Sequence, residues 1–369
     1  MNSRRDRSEG IEAGDVTGVK VFDFFSGCGG ASRGFQDAGM EVVFALDSDD
    51  DARSTFEKNF PSAHFEHADI RQTTVDSVLG FVQAQEPHPV LFCGCAPCQP
   101  FTKQNTSRPE PDKDDRVPLL MEFLRFIERC EPDIVFVENV PGIQNPRRDA
   151  EPLSGFVRGL REAGYGEPAY GAVSLKKYGV PQSRRRLLLL ASRHGPLELP
   201  LETHGPETDN PKYDTVRDWI EELPEIVAGQ THPDVPDHRA ARLSDRNLRR
   251  IQATPEGGGN RDWPDDLRLE CHRQSKGYSD VYGRMSWDRP ASGLTTRCIS
   301  YSNGRFGHPQ QDRAISVREA ACLQTFPMDY EFDGSLSSMA RQIGNAVPVR
   351  LATVFGHHVN EHLADAGVL

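Results

Sequence analysis

The sequence has no long hydrophobic segment. No apolar run approaches the roughly 18 residues that a membrane-spanning helix needs. The first ten residues contain arginine but no apolar core, so they do not resemble a secretory signal. We therefore expect a cytoplasmic protein in which residues 1–17 form a disordered lead-in. The hydrophobic fraction of 37% and the charged fraction of 27% are typical of a soluble globular protein.

Lysine is also scarce. Only eight of the 43 basic residues are lysine, and the net charge is −12. An acidic chain is, on charge alone, a poor match for a nucleic-acid partner. Arginine clusters such as residues 184–186 can still form a local basic face, although a solvated surface is the simpler interpretation of such a cluster.

The cysteines show no disulfide framework. Eight of them are scattered through 369 residues, which predicts reduced thiols. The spacing of Cys93, Cys95 and Cys98 resembles a set of metal ligands, but a zinc site needs a fourth ligand and usually a second paired element. The sequence contains no second element of this kind, so we predict no metal.

Short apolar segments alternate with helical patterns through the first half of the chain, which predicts an α/β fold with a doubly wound, mostly parallel sheet. The expected strands are residues 19–25, 41–46, 64–66, a segment from residue 90, and 133–137, followed by a hairpin-like pair at 169–175 and 187–191. The expected helices are residues 31–39, 52–60, 75–82, 119–127 and 152–163.

The composition changes after residue 195. Residues 18–195 carry the strand and helix alternation, whereas residues 196–302 are rich in Pro, Gly, Asp and Arg. We therefore predict a smaller, loop-rich second domain at residues 196–302. Helical patterns return in the C-terminal segment, residues 303–369.

A glycine-rich turn follows the first predicted strand. Ser26–Gly30 allows a ligand to approach the backbone, but Ser32 replaces the last glycine of the dinucleotide fingerprint, which disfavours a nicotinamide cofactor. Asp47 and Asp69 end the next two strands, where they could bind a ribose diol and an adenine amino group, although each alone is more often a helix cap. Together these strand ends predict a nucleoside cofactor, for which S-adenosylmethionine is the obvious candidate.

Cys98 lies on a turn beyond the carboxyl end of the strand that begins at residue 90, where open α/β sheets keep their reactive groups. An isolated thiol there could be inert. Glu138 ends the next strand and should emerge at the same sheet edge, where desolvation would raise its pKa. This pair suits chemistry on an electron-poor heterocycle, because one group can add to the ring while the other protonates a ring nitrogen.

Six segments in order resemble the motifs of the cytosine carbon-5 DNA methyltransferases, of the type found in bacterial and archaeal modification enzymes. They are Asp23–Gly30, Pro97–Gln99, Glu138–Val140, Gln182–Arg186, residues 289–291 with 294–296, and Gln342–Pro348.

The resemblance implies a specific mechanism. Cys98 would attack carbon 6 of a cytosine flipped out of duplex DNA, and Glu138 would protonate or hydrogen-bond nitrogen 3. A methyl group from S-adenosylmethionine would then be transferred to carbon 5. By the family pattern, Arg184 and Arg186 would hold the flipped nucleotide near the thiol.

The resemblance also implies the fold of the S-adenosylmethionine-dependent methyltransferases, with target recognition in residues 196–302 and a C-terminal segment that completes the cofactor site. A cognate restriction endonuclease is a possible partner, and action as a monomer is expected. The expected cofactor contacts are Phe25, Ser26, Gly27, Cys28, Gly29, Gly30, Asp47, Asp69, Ile70, Asn345 and Val347. The expected DNA contacts are Gln99, Gln182 and Arg297.

Two departures and two alternatives qualify the resemblance. Ala96 stands where the family often has Phe. Asp47 stands where many members have Glu, and Ser48 stands where some members have an aromatic residue. The related tRNA cytosine methyltransferases share the mechanism, but the Cys-Phe-Thr tripeptide usual in them is absent here. A silent DNA-binding relative should have lost Cys98 or Glu138, and both are present.

Overall fold

A computed structural model describes residues 18–96, 119–141, 152–270 and 280–369. The predicted lead-in at residues 1–17, together with Cys98 and Gln99, lies outside these described residues.

A seven-stranded sheet forms the centre of the molecule, with the order β3-β2-β1-β4-β5-β8-β6. Strands β1 to β5 run parallel, whereas β8 is antiparallel to both β5 and β6, so the mostly parallel sheet is confirmed. A separate parallel pair joins β7 to β9. The strands are β1 (Lys20–Phe24), β2 (Glu41–Asp47), β3 (His64–His67), β4 (Val90–Gly94), β5 (Ile134–Asn139), β6 (Ala169–Ser174), β7 (Gln182–Ser183), β8 (Arg185–Ser192) and β9 (Ala291–Ser292).

Several helices begin where a side chain caps their first turn. Asp49 accepts hydrogen bonds from the first amides of α2, and Ser316 and Glu319 form a capping box at α8. The helices are α1 (Gly30–Asp37), α2 (Asp50–Asn59), α3 (Val75–Gln83), α4 (Leu119–Cys130), α5 (Pro152–Glu162), α6 (Val216–Ile220), α7 (Asp245–Gln252), α8 (Val317–Leu323), α9 (Leu336–Asn345) and α10 (Val349–Asp365).

Both faces of the sheet are buried, as a doubly wound fold requires. Along β5, Ile134 and Phe136 belong to one core cluster, whereas Val135 and Val137 belong to the other. Helices α1, α2 and α10 supply side chains to the first cluster, and α3, α4 and α5 supply the second. Because each fully buried large apolar side chain contributes about 1.5–3 kcal/mol, these two layers hold the strand ends in fixed positions.

The described residues of the predicted loop-rich segment, 196–270 and 280–302, form mainly loops and short helices, as their composition predicts. A small cluster beside α7 contains Ile251, Trp263, Leu267, Tyr301 and Ala314. The domain boundaries at residues 195 and 302 stay predictions.

Helix α10 returns to the sheet and packs along α1. Gly34 makes this close approach possible, because a Cβ atom there would overlap the carbonyl oxygen of Val349. No helix among the described segments is long and apolar enough to cross a membrane.

Candidate active site

The glycine-rich turn reverses the chain between β1 and α1. Phe25, Gly27 and Gly29 all have positive φ angles, of 59°, 53° and 86°. The amide of Phe25 donates to the carbonyl oxygen of Leu46 at 2.8 Å, which ties the turn to the end of β2. The turn therefore brings bare backbone to the carboxyl edge of the sheet.

The side chains of the turn differ in environment. Phe25 is half-buried, and the Ser26 hydroxyl is buried without a hydrogen-bond partner among the described residues. The Cys28 side chain is buried, and burial raises the pKa of its thiol. Cys28 can therefore meet a ligand only through its backbone, whose carbonyl oxygen accepts from the Tyr330 hydroxyl.

Asp47 lies directly beside this turn. One carboxylate oxygen accepts from the Gly27 amide at 2.8 Å and the other from the Asp49 amide at 2.9 Å. Burial raises the pKa of Asp47, while the two amides oppose the rise. The structure thus brings together the turn and the first predicted acidic strand end.

Asp69 is already paired. Its carboxylate accepts from Arg71, with 2.6 Å between Nη2 and Oδ2 and 3.0 Å between Nε and Oδ1. These hydrogen bonds lower the pKa of Asp69. An adenine amino group could bind only to the carboxylate lone pairs of Asp69 that Arg71 leaves free. The sequence pattern did not indicate this ion pair. The Ile70 side chain is buried in the second core cluster.

Glu138 lies near the end of β5, and Arg186 lies at the start of β8. Alternate strand residues share a face, so both side chains emerge on the face that carries Leu188. The Arg186 Nε atom lies 2.5 Å from Glu138 Oε1, and the side chains are only 14% and 13% exposed. Burial raises the pKa of Glu138, and the Arg186 guanidinium opposes the rise.

The end of β4 lies beside Glu138. Gly94 pairs with Val137 in register, and the Asn139 side-chain amide donates to the Ala96 carbonyl oxygen at 3.3 Å. These contacts fix the backbone two residues before Cys98, which itself lies outside the described residues.

The two thiols that precede Cys98 in the chain lie in different environments. Cys93 on β4 is fully buried between β1 and β5, and burial raises its pKa well above the ordinary value. Cys95 is half-buried, with its sulfur 3.8 Å from that of Cys93. Within the described ranges, no group of three or more His, Cys, Asp or Glu side chains could hold a metal ion.

Arg184 joins two segments that are distant in sequence. Its guanidinium donates to the Leu294 carbonyl oxygen at 2.9 Å and to the Gly344 carbonyl oxygen at 3.3 Å. These two hydrogen bonds let Arg184 hold the backbone beside β9 and near the end of α9 in place.

Gln182 is fully buried, with a hydrogen bond of 2.7 Å to the Leu323 carbonyl oxygen and one of 3.0 Å from the Leu294 amide. It does not reach solvent, so it would influence DNA only by positioning its neighbours. Arg297 is exposed, with Nη1 3.4 Å from the Asn303 side-chain oxygen.

The C-terminal segment reaches the glycine-rich turn. Val347 is buried, and a Cβ atom at Gly30 would overlap its carbonyl oxygen. Asn345 is exposed at the end of α9. The structure therefore brings the first and last predicted motifs together.

The family model described as C-5 cytosine-specific DNA methylase matches residues 19–361. The chain belongs to this family. Type II methylase M.HgiDII of Herpetosiphon aurantiacus is 40% identical over 353 residues, which cover 93% of this chain and 95% of that protein. Type II methyltransferase M.Eco47II of Escherichia coli is 30% identical over 352 residues, which cover 94% of this chain and 79% of that protein.

Solved structures agree on the fold of this DNA (cytosine-5)-methyltransferase. The crystal structure of S. pombe Dnmt2 methyltransferase has a TM-score of 0.61 with 18% identity, over 94% of this chain and 98% of that chain.

One residue of this methylase was missed by the sequence patterns. Arg341 on α9 pairs with Asp49 at 2.5 Å and with Asp51 at 3.1 Å, at the start of α2. The partners lie about 290 residues apart in the chain, so no local spacing indicates the contact.

Proposed function

We propose that the protein transfers a methyl group from S-adenosylmethionine to carbon 5 of a cytosine flipped out of duplex DNA, through covalent addition of Cys98. The observation that carries the proposal is the buried pair of Glu138 and Arg186 beside the end of β4, where the chain leads into Cys98. This arrangement provides a carboxyl group with a raised pKa at the edge where a thiol should emerge.

The protein side chains would act in a fixed order. The Cys98 thiolate forms a bond to carbon 6 while protonated Glu138 gives its proton to nitrogen 3, which leaves an enamine with a nucleophilic carbon 5. S-adenosylmethionine, when bound, supplies an electrophilic methyl group. After methylation the carbon-5 proton passes to water, the bond between sulfur and carbon 6 breaks, and Glu138 recovers its proton from nitrogen 3.

The residues at the glycine-rich turn fit this cofactor. The turn offers bare backbone, the half-buried ring of Phe25 offers an apolar surface, and the buried Ser26 hydroxyl lacks a partner in the described structure. Asp47 retains carboxylate lone pairs that a ribose diol could use. Asn345 and Val347 would close the site from the C-terminal segment.

Arg186 has two tasks in this proposal. In the protein alone it neutralises Glu138, and with DNA bound it would contact the flipped nucleotide together with Arg184, as the fork of a guanidinium permits. The names of the relatives, both Type II enzymes, support duplex DNA as substrate and a cognate restriction endonuclease as partner. Residues 196–302 would recognise the target sequence, and the protein would act as a monomer.

The test is transfer of a labelled methyl group from S-adenosylmethionine to duplex DNA. Wild-type protein should label DNA, and Cys98→Ala should label none. Full activity of that variant would contradict the mechanism. Parallel reactions with tRNA address the alternative, because labelling of tRNA without labelling of DNA would replace the proposed substrate.

A further inference from the structure

A cavity of about 200 Å³ lies beside the two-stranded sheet β7–β9. Its lining includes Arg289 and Arg305 together with the serines Ser286 and Ser292, and none of its lining residues is acidic. Two guanidinium groups and two hydroxyls supply only positive charge and hydrogen-bonding groups, which is the chemistry of an anion site.

The two arginines have different roles in the cavity. Arg305 is held by the carbonyl oxygens of Gly257 and Gly258, each 2.7 Å from Nη1, and Asp280 lies 3.5 Å from Nη2. Arg289 is exposed and forms no ion pair with any residue in the described part of the chain. Arg289 therefore carries the uncompensated positive charge of the cavity.

The serines add hydrogen-bonding capacity. The Ser292 hydroxyl is buried and has no partner among the described residues. A buried hydroxyl without a partner costs free energy. A small rearrangement that turned Ser292 toward an anion in the cavity would remove this cost.

The cavity adjoins the proposed active site. Ser292 pairs with Ser183 across the β7–β9 sheet, and Arg186 follows Ser183 by three residues and pairs with Glu138. One inter-strand spacing of about 4.8 Å and three residues at about 3.3 Å each separate Ser292 from Arg186, so the cavity lies within roughly 15 Å of the residue that pairs with Glu138. DNA rises about 3.4 Å per nucleotide of one strand, so this distance corresponds to a few nucleotides.

We propose that this cavity binds one backbone phosphate of the substrate DNA, two to four nucleotides from the target cytosine, with Arg289 as its principal cation; this inference rests on the proposed function. The phosphate contact positions the duplex and carries no sequence information. It also explains how a protein of net charge −12 holds a polyanion, since attraction is confined to local basic sites.

The experiment combines one protein variant with neutralised phosphates. Duplexes that contain the mapped target site and a single methylphosphonate at successive positions are bound to wild-type protein and to Arg289→Gln. In the wild type, one position within about four nucleotides of the target should weaken binding several-fold. In Arg289→Gln that position should lose its effect, and the slope of log K against log salt should become shallower by about one.

Kinetics separate positioning from chemistry. Arg289→Gln should raise KM for DNA and leave kcat at saturating DNA unchanged, because Arg289 touches no reacting atom. The matched control is Arg53→Gln on α2, which removes an exposed arginine paired with Glu57 and should keep the wild-type salt slope.

An unchanged methylphosphonate pattern in Arg289→Gln, with active wild-type protein, would overturn this inference and leave the proposed function intact. Absence of methyl transfer by the wild type would instead overturn the proposed function. A cavity that serves free phosphate would show thermal stabilisation by inorganic phosphate that depends on Arg289, with no change in the methylphosphonate pattern, and this outcome also contradicts the inference.

Discussion

At the level of single residues, burial and a neighbouring positive charge have opposite effects on the pKa of the proposed proton donor. Burial raises the pKa of Glu138, and the Arg186 guanidinium at 2.5 Å limits the rise. A proton donor must hold its proton at the working pH, so the balance of these two effects sets the alkaline limit of activity.

Replacing Arg186 tests this balance. Arg186→Gln removes the positive charge that lowers the pKa of Glu138, so the fall in kcat with rising pH should move to higher pH, even if kcat itself decreases. The measurement is the pH dependence of kcat at saturating substrates. Arg185→Gln is the control, since the exposed Arg185 guanidinium donates to the Ala172 carbonyl oxygen instead. A shift to lower pH in Arg186→Gln would contradict the assignment.

Asp23 shows the same physics without a role in the proposed chemistry. It is fully buried below the glycine-rich turn and accepts from Ser32 at 2.6 Å, and burial raises its pKa to about 6. The pKa of Asp23 is higher in the folded protein than its ordinary value of 3.8. Protonated Asp23 therefore contributes stability that is fully present below pH 3.8 and is lost as the pH rises through about 6.

Asp23→Asn should therefore gain stability relative to wild type as pH rises from 4 to 7. At about 1.4 kcal/mol per pKa unit, the relative gain is roughly 3 kcal/mol. Urea unfolding of both proteins at several pH values measures it, with Asp209→Asn in an exposed loop as the control. A constant difference between Asp23→Asn and wild type across this range would refute the prediction.

At the scale of elements, helices from opposite ends of the chain are joined at the cofactor edge. Arg341 on α9 contacts Asp49, the Asp49 amide donates to Asp47, and Asp47 accepts from Gly27 in the turn. This chain of contacts links the C-terminal segment to the residues proposed to bind S-adenosylmethionine.

Arg341→Gln should weaken S-adenosylmethionine binding by about 3- to 10-fold, because the pair is partly exposed and contributes on the order of 1 kcal/mol. Calorimetric titration measures the change, and Arg341→Lys should restore part of the affinity. Arg53→Gln, which breaks an ion pair within α2, should bind as wild type does. Equal loss in both glutamine variants would show that α2 is merely destabilised.

Glycines test the packing of α1 against α10. Gly34→Ala places a methyl group against Val349 and Ala352, so it should lower the free energy of unfolding by about 1–3 kcal/mol. Gly80→Ala in α3 meets nothing within 4 Å and should raise it by about 0.5–1 kcal/mol. Denaturant unfolding of both variants is the measurement, and equal effects would contradict the packing described here.

The sequence predicted elements better than it predicted contacts between them. The alternation of apolar segments is a local signal, so the edge that gathers Gly27, Asp47 and Glu138 followed from strand order. The pairing of Glu138 with Arg186 depends on the antiparallel register of β8, which no local pattern specifies. The role of Gln182 in DNA binding stays a prediction, and its partners Leu323 and Leu294 come from segments more than 100 residues away, so no local pattern indicates these contacts.

At the scale of the whole molecule, an acidic body carries a few basic sites. The face of the sheet that bears Glu138 and Arg186 is also the face covered by α1 and α10. The β7–β9 pair joins Gln182–Ser183 to Ala291–Ser292 of the loop-rich segment. Since binding would depend on contacts between arginines and phosphates, DNA affinity should fall as salt rises, with a slope of log K against log salt of about one per contact. Affinity that stays constant from low to high salt would contradict this account.

Duplex DNA with 5-fluorocytosine at the target position should trap the covalent intermediate of the proposed mechanism, because fluorine cannot leave carbon 5 as a proton does. With S-adenosylmethionine, wild-type protein should form a stable covalent complex whose mass equals protein plus DNA plus one methyl group, less the proton lost from the thiol, and peptide mapping should place the bond at Cys98. Methylation of ordinary DNA without any trapped complex, or a complex through another residue, would contradict the mechanism.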